Sequence, residues 1–255
     1  MRKWLTISLI FQKSLEDEAY PIQTLRNLAK SLAKGHLFLL DVDFIPSPRL
    51  AERAMARVQL YAKQRPGVKV AFIVPAFEPT ERRLATSRLP SDKDTLLLEV
   101  KAGLIQPILG GFHASHISTN YVKWYSTKLD YAISYEVLFE PYVIATSPGV
   151  PEYDERFNEY GNDKCSHIYE MAACRYQFVV IGDSYVVHME HKQADFKDVQ
   201  DVDKSWDNWA IYADEIEMRY HWRPEVPDRL MREVELGNLP GKWMLKPAVG
   251  LGPVR

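Results

Sequence analysis

The stretch LFLLDVDF, Leu37–Phe44, places two aspartates directly after a run of apolar residues. The apolar run HLFLL that leads into it predicts a fully buried strand. Asp41 and Asp43 would then lie at the carboxyl end of this strand, the edge at which open α/β sheets bind ligands. Two carboxylates at such an edge can hold a hard divalent cation against the oxygens of a diphosphate. The stretch therefore predicts a metal site at Asp41 and Asp43.

A second Asp-Val-Asp occurs at residues 201–203, so the tripeptide alone does not identify a site. This copy belongs to the charged run KDVQDVDKSWDNW, which leads into a predicted helix. Acidic side chains are common in the first turn of a helix, where they face solvent and complement the helix dipole. We therefore interpret Asp201 and Asp203 as a solvated helix start.

Predicted helices and strands alternate around Asp41. Apolar stripes at helical spacing predict helices over residues 21–35, 48–65 and 91–103, and VKVAFIVPAF at 68–77 predicts a second buried strand. This order is typical of an α/β domain with a largely parallel sheet.

Residues 106–161 differ in composition from the preceding segment. Aromatic, polar and glycine residues are mixed here, and only short strands are expected. A helix is predicted over 162–176, and two short strands around a Gly-Asp turn follow it. Proline and glycine punctuate the sequence after Arg223, which we expect to pack on the surface or to be loose. The predicted organisation is one catalytic-type domain over 1–222 and a tail over 223–255.

Composition excludes several classes of protein. The 255 residues are 46% hydrophobic and carry a formal charge of -2, which disfavours a nucleic-acid binder driven by electrostatics. No run approaches the ~20 apolar residues of a membrane span, and the short N-terminal WLTISLIF predicts a strand rather than a signal peptide. Cys165 and Cys174 would lie on opposite faces of a helix, so no disulfide is expected between them.

Two chemistries use an Asp-x-Asp at a strand end. One is a phosphatase with a nucleophilic first aspartate, but such enzymes normally carry Thr or Val two residues after the second, where this chain has Ile45. The other is a glycosyltransferase that holds a cation on a nucleotide diphosphate. The remaining motifs distinguish the two.

Seven blocks between about Tyr20 and about Phe196 resemble, in order, the LARGE-type and β-1,4-glucuronyltransferase domain family, which acts on dystroglycan glycans. They are YPIQTLRNLA, LFLLDVDFIPS, AFIVPAFE, HISTNYVKW, FEPYVIA, PEYDERFNEYG with the Lys164 and His167 that follow it, and YVVHMEH. The resemblance implies a GT-A-type α/β fold and an inverting transfer from a UDP-sugar, with glucuronic acid as one candidate sugar, to a glycan acceptor. It also implies Mn²⁺ as cofactor and the Golgi lumen as location.

The resemblance also implies a metal-ligand set. Asp41 and Asp43 match its metal-binding Asp-x-Asp, and His188 matches the late histidine that completes the site. His191 is a weaker candidate for the same role. A set of two carboxylates and an imidazole suits Mn²⁺ better than Mg²⁺, because imidazole favours the softer ion.

An inverting transfer needs a base for the acceptor hydroxyl, normally a carboxylate. Glu140, Glu136 and Asp163 are the candidates, and Glu140 and Asp163 rank equally. The alternative for Glu140 is a carboxylate that only orders its loop by accepting backbone N–H groups.

The remaining matched residues predict contacts with substrates. His116 and Asn120 can hydrogen-bond sugar hydroxyls, and Trp124 offers an apolar face to a pyranose ring. Lys123 can pair with a phosphate or a donor carboxylate. Arg26 can contact the donor, although a surface ion pair is its more common role.

Two further expectations concern the whole chain. Only 40 residues precede Asp41, whereas the strands that wall a nucleotide site in this fold need about 80–100 at ~30 residues per strand-helix-strand unit. The fold is therefore expected to lack N-terminal strands, and the chain to bind UDP-sugars weakly. A non-catalytic module that binds glycan or a partner enzyme is the alternative function.

Overall fold

The computed structural model describes residues 20–83, 88–108, 115–158, 161–189, 202–237 and 239. Its helices are α1 Ile22–Leu32, α2 Leu50–Gln64, α3 Lys93–Lys101, α4 Tyr121–Ser126, α5 Asp163–Ala173, α6 Val202–Tyr220 and α7 Asp228–Glu235. Its strands are β1 His36–Phe38, β2 Phe44–Pro46, β3 Val70–Val74, β4 Ala76–Pro79, β5 Ile105–Pro107, β6 Tyr131–Ile133, β7 Tyr142–Thr146, β8 Gln177–Val180 and β9 Val186–His188. The strand predicted for WLTISLIF lies outside the described residues.

The strands form two mixed sheets, so the α/β class is confirmed. One sheet has the order β1-β7-β3-β8-β6 and the other β2-β9-β4-β5. The prediction of a largely parallel sheet is wrong: only the β3–β8 and β4–β9 pairs are parallel among the described strands. The cause is β7, which comes from the irregular region 106–161 and inserts between β1 and β3 in antiparallel register.

The chain crosses between the sheets at two neighbouring places. The segment predicted as one strand continues past Pro75 from β3 into β4, and the Pro75 carbonyl accepts the Val186 N–H at 2.9 Å. The second crossing is the turn from β8 to β9. A Cβ at Gly182 in this turn would lie 2.4 Å from the Leu129 carbonyl oxygen, so only glycine fits there.

The strand before Asp41 is less buried than predicted. All three residues of β1 are half-buried, as are Leu39 and Leu40 after it. The reason is position: β1 is the edge of the five-stranded sheet within the described part of the chain. The aspartates therefore follow an edge strand rather than a central one.

The helices pack against both sheets and against one another. Leu230 and Val234 of α7 are buried in a cluster with Trp209 of α6 and Tyr169 of α5. This part of the tail is thus a helix packed against the rest of the molecule rather than a loose segment. The division into 1–222 and 223–255 stays a prediction. Cys165 and Cys174 are both free thiols, as expected.

None of the helices that the structure describes is long and apolar enough to cross a bilayer.

Candidate active site

The turn that carries the two aspartates joins β1 to β2. Within it the Phe44 N–H donates to the Asp41 carbonyl at 3.1 Å, and the Met189 N–H donates to the Asp43 carbonyl at 2.6 Å. Strand β2 pairs with β9 so that Phe44 lies opposite His188. This pairing brings His188 Nε2 to 3.1 Å from Asp43 Oδ2. The fold therefore unites two of the three predicted metal ligands.

Asp41 points to different partners. Its Oδ2 accepts hydrogen bonds from the Tyr142 hydroxyl at 2.7 Å and from Lys164 Nζ at 2.6 Å. Arg26 Nη2 lies 3.9 Å from its Oδ1. Burial acts to raise the pKa of Asp41, but Lys164, Tyr142 and Arg26 together hold that pKa below its usual value. Asp41 is therefore an ionised carboxylate held by a lysine.

Asp163, at the start of α5, also has a cationic partner. Arg26 Nη1 donates to its Oδ2 at 2.7 Å and to Gln23 Oε1 at 3.0 Å. The Arg26 side chain is only 6% exposed, so the expected surface ion pair is instead a buried one. Arg26 and Asp163 thus form a charge-assisted hydrogen bond in a site with little solvent.

Glu140 has the most unusual environment of the candidate bases. Its backbone N–H donates to the Ser115 carbonyl at 2.8 Å, and Leu138 before it adopts a left-handed φ of 69°. Burial and the neighbouring Asp163 together raise its pKa to about 7, against the opposing effects of Lys164, Cys165 and Arg26. A carboxyl with such a pKa can accept a proton near neutral pH. We refer to Arg26, Asp41, Glu140, Asp163 and Lys164 as the Glu140 cluster.

Lys164 was not among the predicted site residues, although it is central to this cluster. Burial acts to lower its pKa, but Asp41, Asp163 and Glu140 raise it above the usual value for lysine. The sequence carries one signal for it. Lys164 is the second residue of α5, where a cation opposes the helix dipole and needs compensation from carboxylates.

His116 and Trp124 are both buried. Burial, with a smaller contribution from Lys164, lowers the pKa of His116 to about 3, so its imidazole is neutral at pH 7. Trp124 is fully buried, and its Nε1–H donates to the Ile181 carbonyl at 2.9 Å. The Lys93 ammonium lies 3.7 Å from the Trp124 ring centroid. The expectation that Trp124 stacks on a sugar is therefore wrong, because its ring is part of the core.

The other predicted substrate residues lie apart from the aspartates. Asn120 caps α4 by accepting the Lys123 N–H at 3.0 Å, and both residues line a cavity of about 630 Å³. Glu136 lines the same cavity and forms an ion pair with Arg229. The described lining includes none of the three predicted metal ligands. The described lining also includes neither Glu140 nor Asp163.

The residues present fit a metal through Asp43 and His188. A carboxylate oxygen and an imidazole nitrogen that face each other are both ligand types of transition metals. In the part of the chain that the structure describes, no group of three or more such side chains converges. Asp41 is not brought into the pair, because it binds Lys164. His191 lies outside the described residues.

Comparisons with known proteins show the family to which this chain is similar. Residues 6–221 match the family described as glycosyl-transferase for dystroglycan. The chain is 32% identical over 224 residues to the glycosyltransferase-like protein gnt14 of Dictyostelium discoideum, covering 86% of this chain and 34% of that protein. It is 36% identical over 180 residues to the mouse xylosyl- and glucuronyltransferase LARGE1, covering 69% of this chain and 23% of that protein.

Rat xylosyl- and glucuronyltransferase LARGE2 is 33% identical over 176 residues, covering 68% of this chain and 25% of that protein. The chain thus spans about a quarter to a third of the length of these relatives. The family match covers most of the chain and includes the Asp43–His188 pair and the whole Glu140 cluster. On this evidence, the chain belongs to the family of glycosyltransferases for dystroglycan.

Proposed function

We propose that this protein is a metal-dependent, inverting glycosyltransferase that moves a sugar from a UDP-sugar to a glycan acceptor. The observation that carries the proposal is the approach of His188 Nε2 to Asp43 Oδ2 at 3.1 Å, in the turn next to the Glu140 cluster. Glucuronic acid is the first donor sugar to test, since LARGE1 is named a xylosyl- and glucuronyltransferase. The Golgi lumen is the proposed compartment, on the same family resemblance.

Mn²⁺ is the proposed cofactor, and Asp43 and His188 would hold it. When bound, the cation stabilises the negative charge that develops on a departing diphosphate. A site with two protein ligands leaves the other coordination positions to substrate oxygens and water. Asp41 has a different role in this proposal: its contacts with Lys164 and Tyr142 fix the turn that presents Asp43.

Glu140 is the proposed base. Its pKa of about 7 lets the carboxylate take the proton of an acceptor hydroxyl near neutral pH. Asp163, which ranked equally in the sequence, is already engaged by Arg26 at 2.7 Å, and we therefore prefer Glu140. Arg26 and Lys164 also keep the carboxylates of the cluster from repelling one another, so the base stays beside the metal turn.

The proposal is tested by exchanging single carboxylates for amides in the two Asp-Val-Asp sequences. Asp43→Asn should reduce transfer from UDP-glucuronic acid, measured with Mn²⁺, by about 10³-fold, because it removes a ligand that stabilises leaving-group charge. Asp203→Asn is the matched control, in the first turn of α6, and should leave the rate unchanged.

A screen of UDP-sugars on the unaltered chain should accompany these variants. Equal losses in the two variants would overturn the assignment of the site. Binding of glycan with no response to UDP or Mn²⁺ in calorimetry would favour a non-catalytic module instead.

A further inference from the structure

Positive charge collects at one end of the five-stranded sheet. The segments 34–36, 63–69, 146–149 and 174–177 meet there, and they contain no aspartate or glutamate. The whole chain has a formal charge of -2, so this end carries a local excess of positive charge. We call it the basic surface, and its cations, all exposed, are Lys34, Lys63, Arg65, Lys69 and Arg175.

Hydrogen bonds join these segments into one continuous surface. Strands β3 and β8 are parallel neighbours that both begin here. Arg65 Nη1 donates to Gln177 Oε1 at 3.2 Å, and the Gln177 N–H donates to the Lys69 carbonyl at 2.9 Å. On the other side of β3, the Ser147 N–H after β7 donates to the Gly35 carbonyl before β1 at 2.7 Å. The cations therefore belong to a single edge of the fold.

Two of the cations are held in place by tyrosine rings. The Arg65 guanidinium lies 5.6 Å from the ring centroid of Tyr61, and Lys69 Nζ lies 5.6 Å from that of Tyr176. Such cation–π contacts restrict the two side chains. A side chain that is already restricted loses less conformational freedom on binding, so these cations are prepared for partner groups in fixed positions.

None of the five cations forms an ion pair with a carboxylate in the part of the chain that the structure describes. Lysines elsewhere differ in this respect, since Lys30 pairs with Glu152 and Lys128 pairs with Asp94. The basic surface therefore offers its charge to an anionic partner without first breaking an internal ion pair.

Apolar side chains are exposed among these cations. Val68 is 40% exposed and lies between Arg65 and Lys69, in a turn closed by the bond from the Val68 N–H to the Arg65 carbonyl at 3.2 Å. Leu60 is 49% exposed and lies one turn before Lys63 on α2. A partner that fits this surface therefore carries apolar groups beside its anionic ones.

We propose that the basic surface docks an acidic segment of a partner polypeptide, in which carboxylate side chains are interspersed with apolar ones. An acidic polysaccharide has no apolar side chains for Val68 and Leu60, and a lipid surface does not need cations in fixed positions. The proposal goes beyond the proposed function and does not depend on it. Asp41 follows the opposite end of β1, so a docked partner would leave the metal turn open.

The test is fluorescence anisotropy on the full chain with the labelled synthetic peptide acetyl-EELEELEELE-amide. Binding should weaken when NaCl rises from about 0.1 M to about 1 M, because the Debye length falls from ~10 Å to ~3 Å. A peptide with glutamine at every glutamate should not bind measurably. A peptide with serine at every leucine should bind about threefold more weakly, because it lacks the apolar contacts.

Variants locate the binding on the basic surface. Arg65→Gln combined with Lys69→Gln should weaken peptide binding about tenfold, the size of two partly exposed ion pairs. Lys101→Gln combined with Lys128→Gln removes the same charge from two exposed lysines outside the basic surface and should change nothing. The Tm of each variant should stay within about 2 °C of the original, since every exchanged side chain is exposed.

Equal weakening in the two double variants would overturn the assignment of the surface. Equal binding of the leucine and serine peptides would overturn the role of Val68 and Leu60. No binding of the peptide, together with Arg65- and Lys69-dependent binding of heparin or of vesicles containing about 30% phosphatidylserine, would overturn the choice of a polypeptide. Because these measurements need no turnover, failure of the proposed transfer reaction leaves their outcome unaffected.

Discussion

Two largely half-buried groups of charged residues in this molecule differ in how their carboxylates are satisfied. In the first, which we call the Arg57 cluster, Arg57 donates to Asp130 at 2.7 Å and to Asp183 at 2.8 Å. Asp130 also accepts the Gly182 N–H at 3.0 Å. These bonds tie α2 to the turn between β8 and β9, and each carboxylate is matched by a guanidinium nitrogen.

In the Glu140 cluster, not every carboxylate forms an ion pair with a cation. Arg26 and Lys164 pair with Asp163 and Asp41, whereas Glu140 forms no ion pair with any cation in the described residues. Its raised pKa, about 7, is the consequence of burial beside Asp163. A cluster in which every carboxylate has a cationic partner serves to join secondary-structure elements. In a cluster that is not completely paired, the carboxylate without an ion pair is a candidate for proton transfer.

The largest expected effect is a loss of transfer activity when the carboxylate of Glu140 is removed. Glu140→Gln keeps the shape of the side chain but removes the base, and we expect kcat for transfer to fall by about 10²- to 10³-fold. Asp130→Asn, in the Arg57 cluster, should leave kcat unchanged because its contacts are structural. Steady-state kinetics with saturating donor measure both. A Glu140→Gln enzyme with the original kcat would show that the two clusters do not differ in kind.

The second effect concerns stability. Arg57→Ala leaves Asp130 and Asp183 without their cation, and we expect a loss of about 3 kcal/mol in the free energy of unfolding. Arg49→Ala removes an exposed pair with Glu52 and should cost less than about 1 kcal/mol. Urea unfolding measures both losses. Retained stability together with lost transfer in Arg57→Ala would assign the Arg57 cluster a catalytic part instead.

The smallest effect is a dependence of stability on pH. The pKa of Glu140 is raised from 4.5 to about 7, so between these values the folded state binds more protons than the unfolded state. Stability from this group is therefore present at low pH and is lost as pH rises through about 7.

Glu140→Gln should remove this component. Between pH 5 and pH 8 the unaltered protein should lose about 5–10 °C more in Tm than the variant does, because the linked loss of stability is about 2.5 kcal/mol. Thermal unfolding followed by circular dichroism provides the measurement. Parallel Tm curves for the two proteins would contradict a raised pKa at Glu140.

The helices were largely predictable because their signals are local. The apolar stripe and the flanking Pro21 and Gly35 indicated α1 within a few residues of its bounds, and α2 and α5 were similarly close. Sheet topology was not predictable in this way. Nothing local to PYVIA indicates that β7 pairs with both β1 and β3, since both pairings join residues far apart in the chain.

The residues of the candidate site divide in the same way, into those that local sequence signals identified and those that depend on tertiary structure. The strand-end position of Asp41 and Asp43 separated them from the second Asp-Val-Asp, whose Asp203 lies in α6 as predicted. Trp124 was misassigned because a motif match reports that a residue is present, and not whether its side chain is exposed.

By itself, the sequence determined the alternation of helices and strands, the aspartate-bearing turn and the set of candidate bases, because periodicity and capping act over a few residues. Tertiary structure alone decided which of these residues meet. It paired Asp43 with His188 across 145 positions and Asp41 with Lys164 across 123. It also gave Glu140 an environment that raises its pKa, because a pKa depends on burial and on neighbouring charges that only the folded chain brings together.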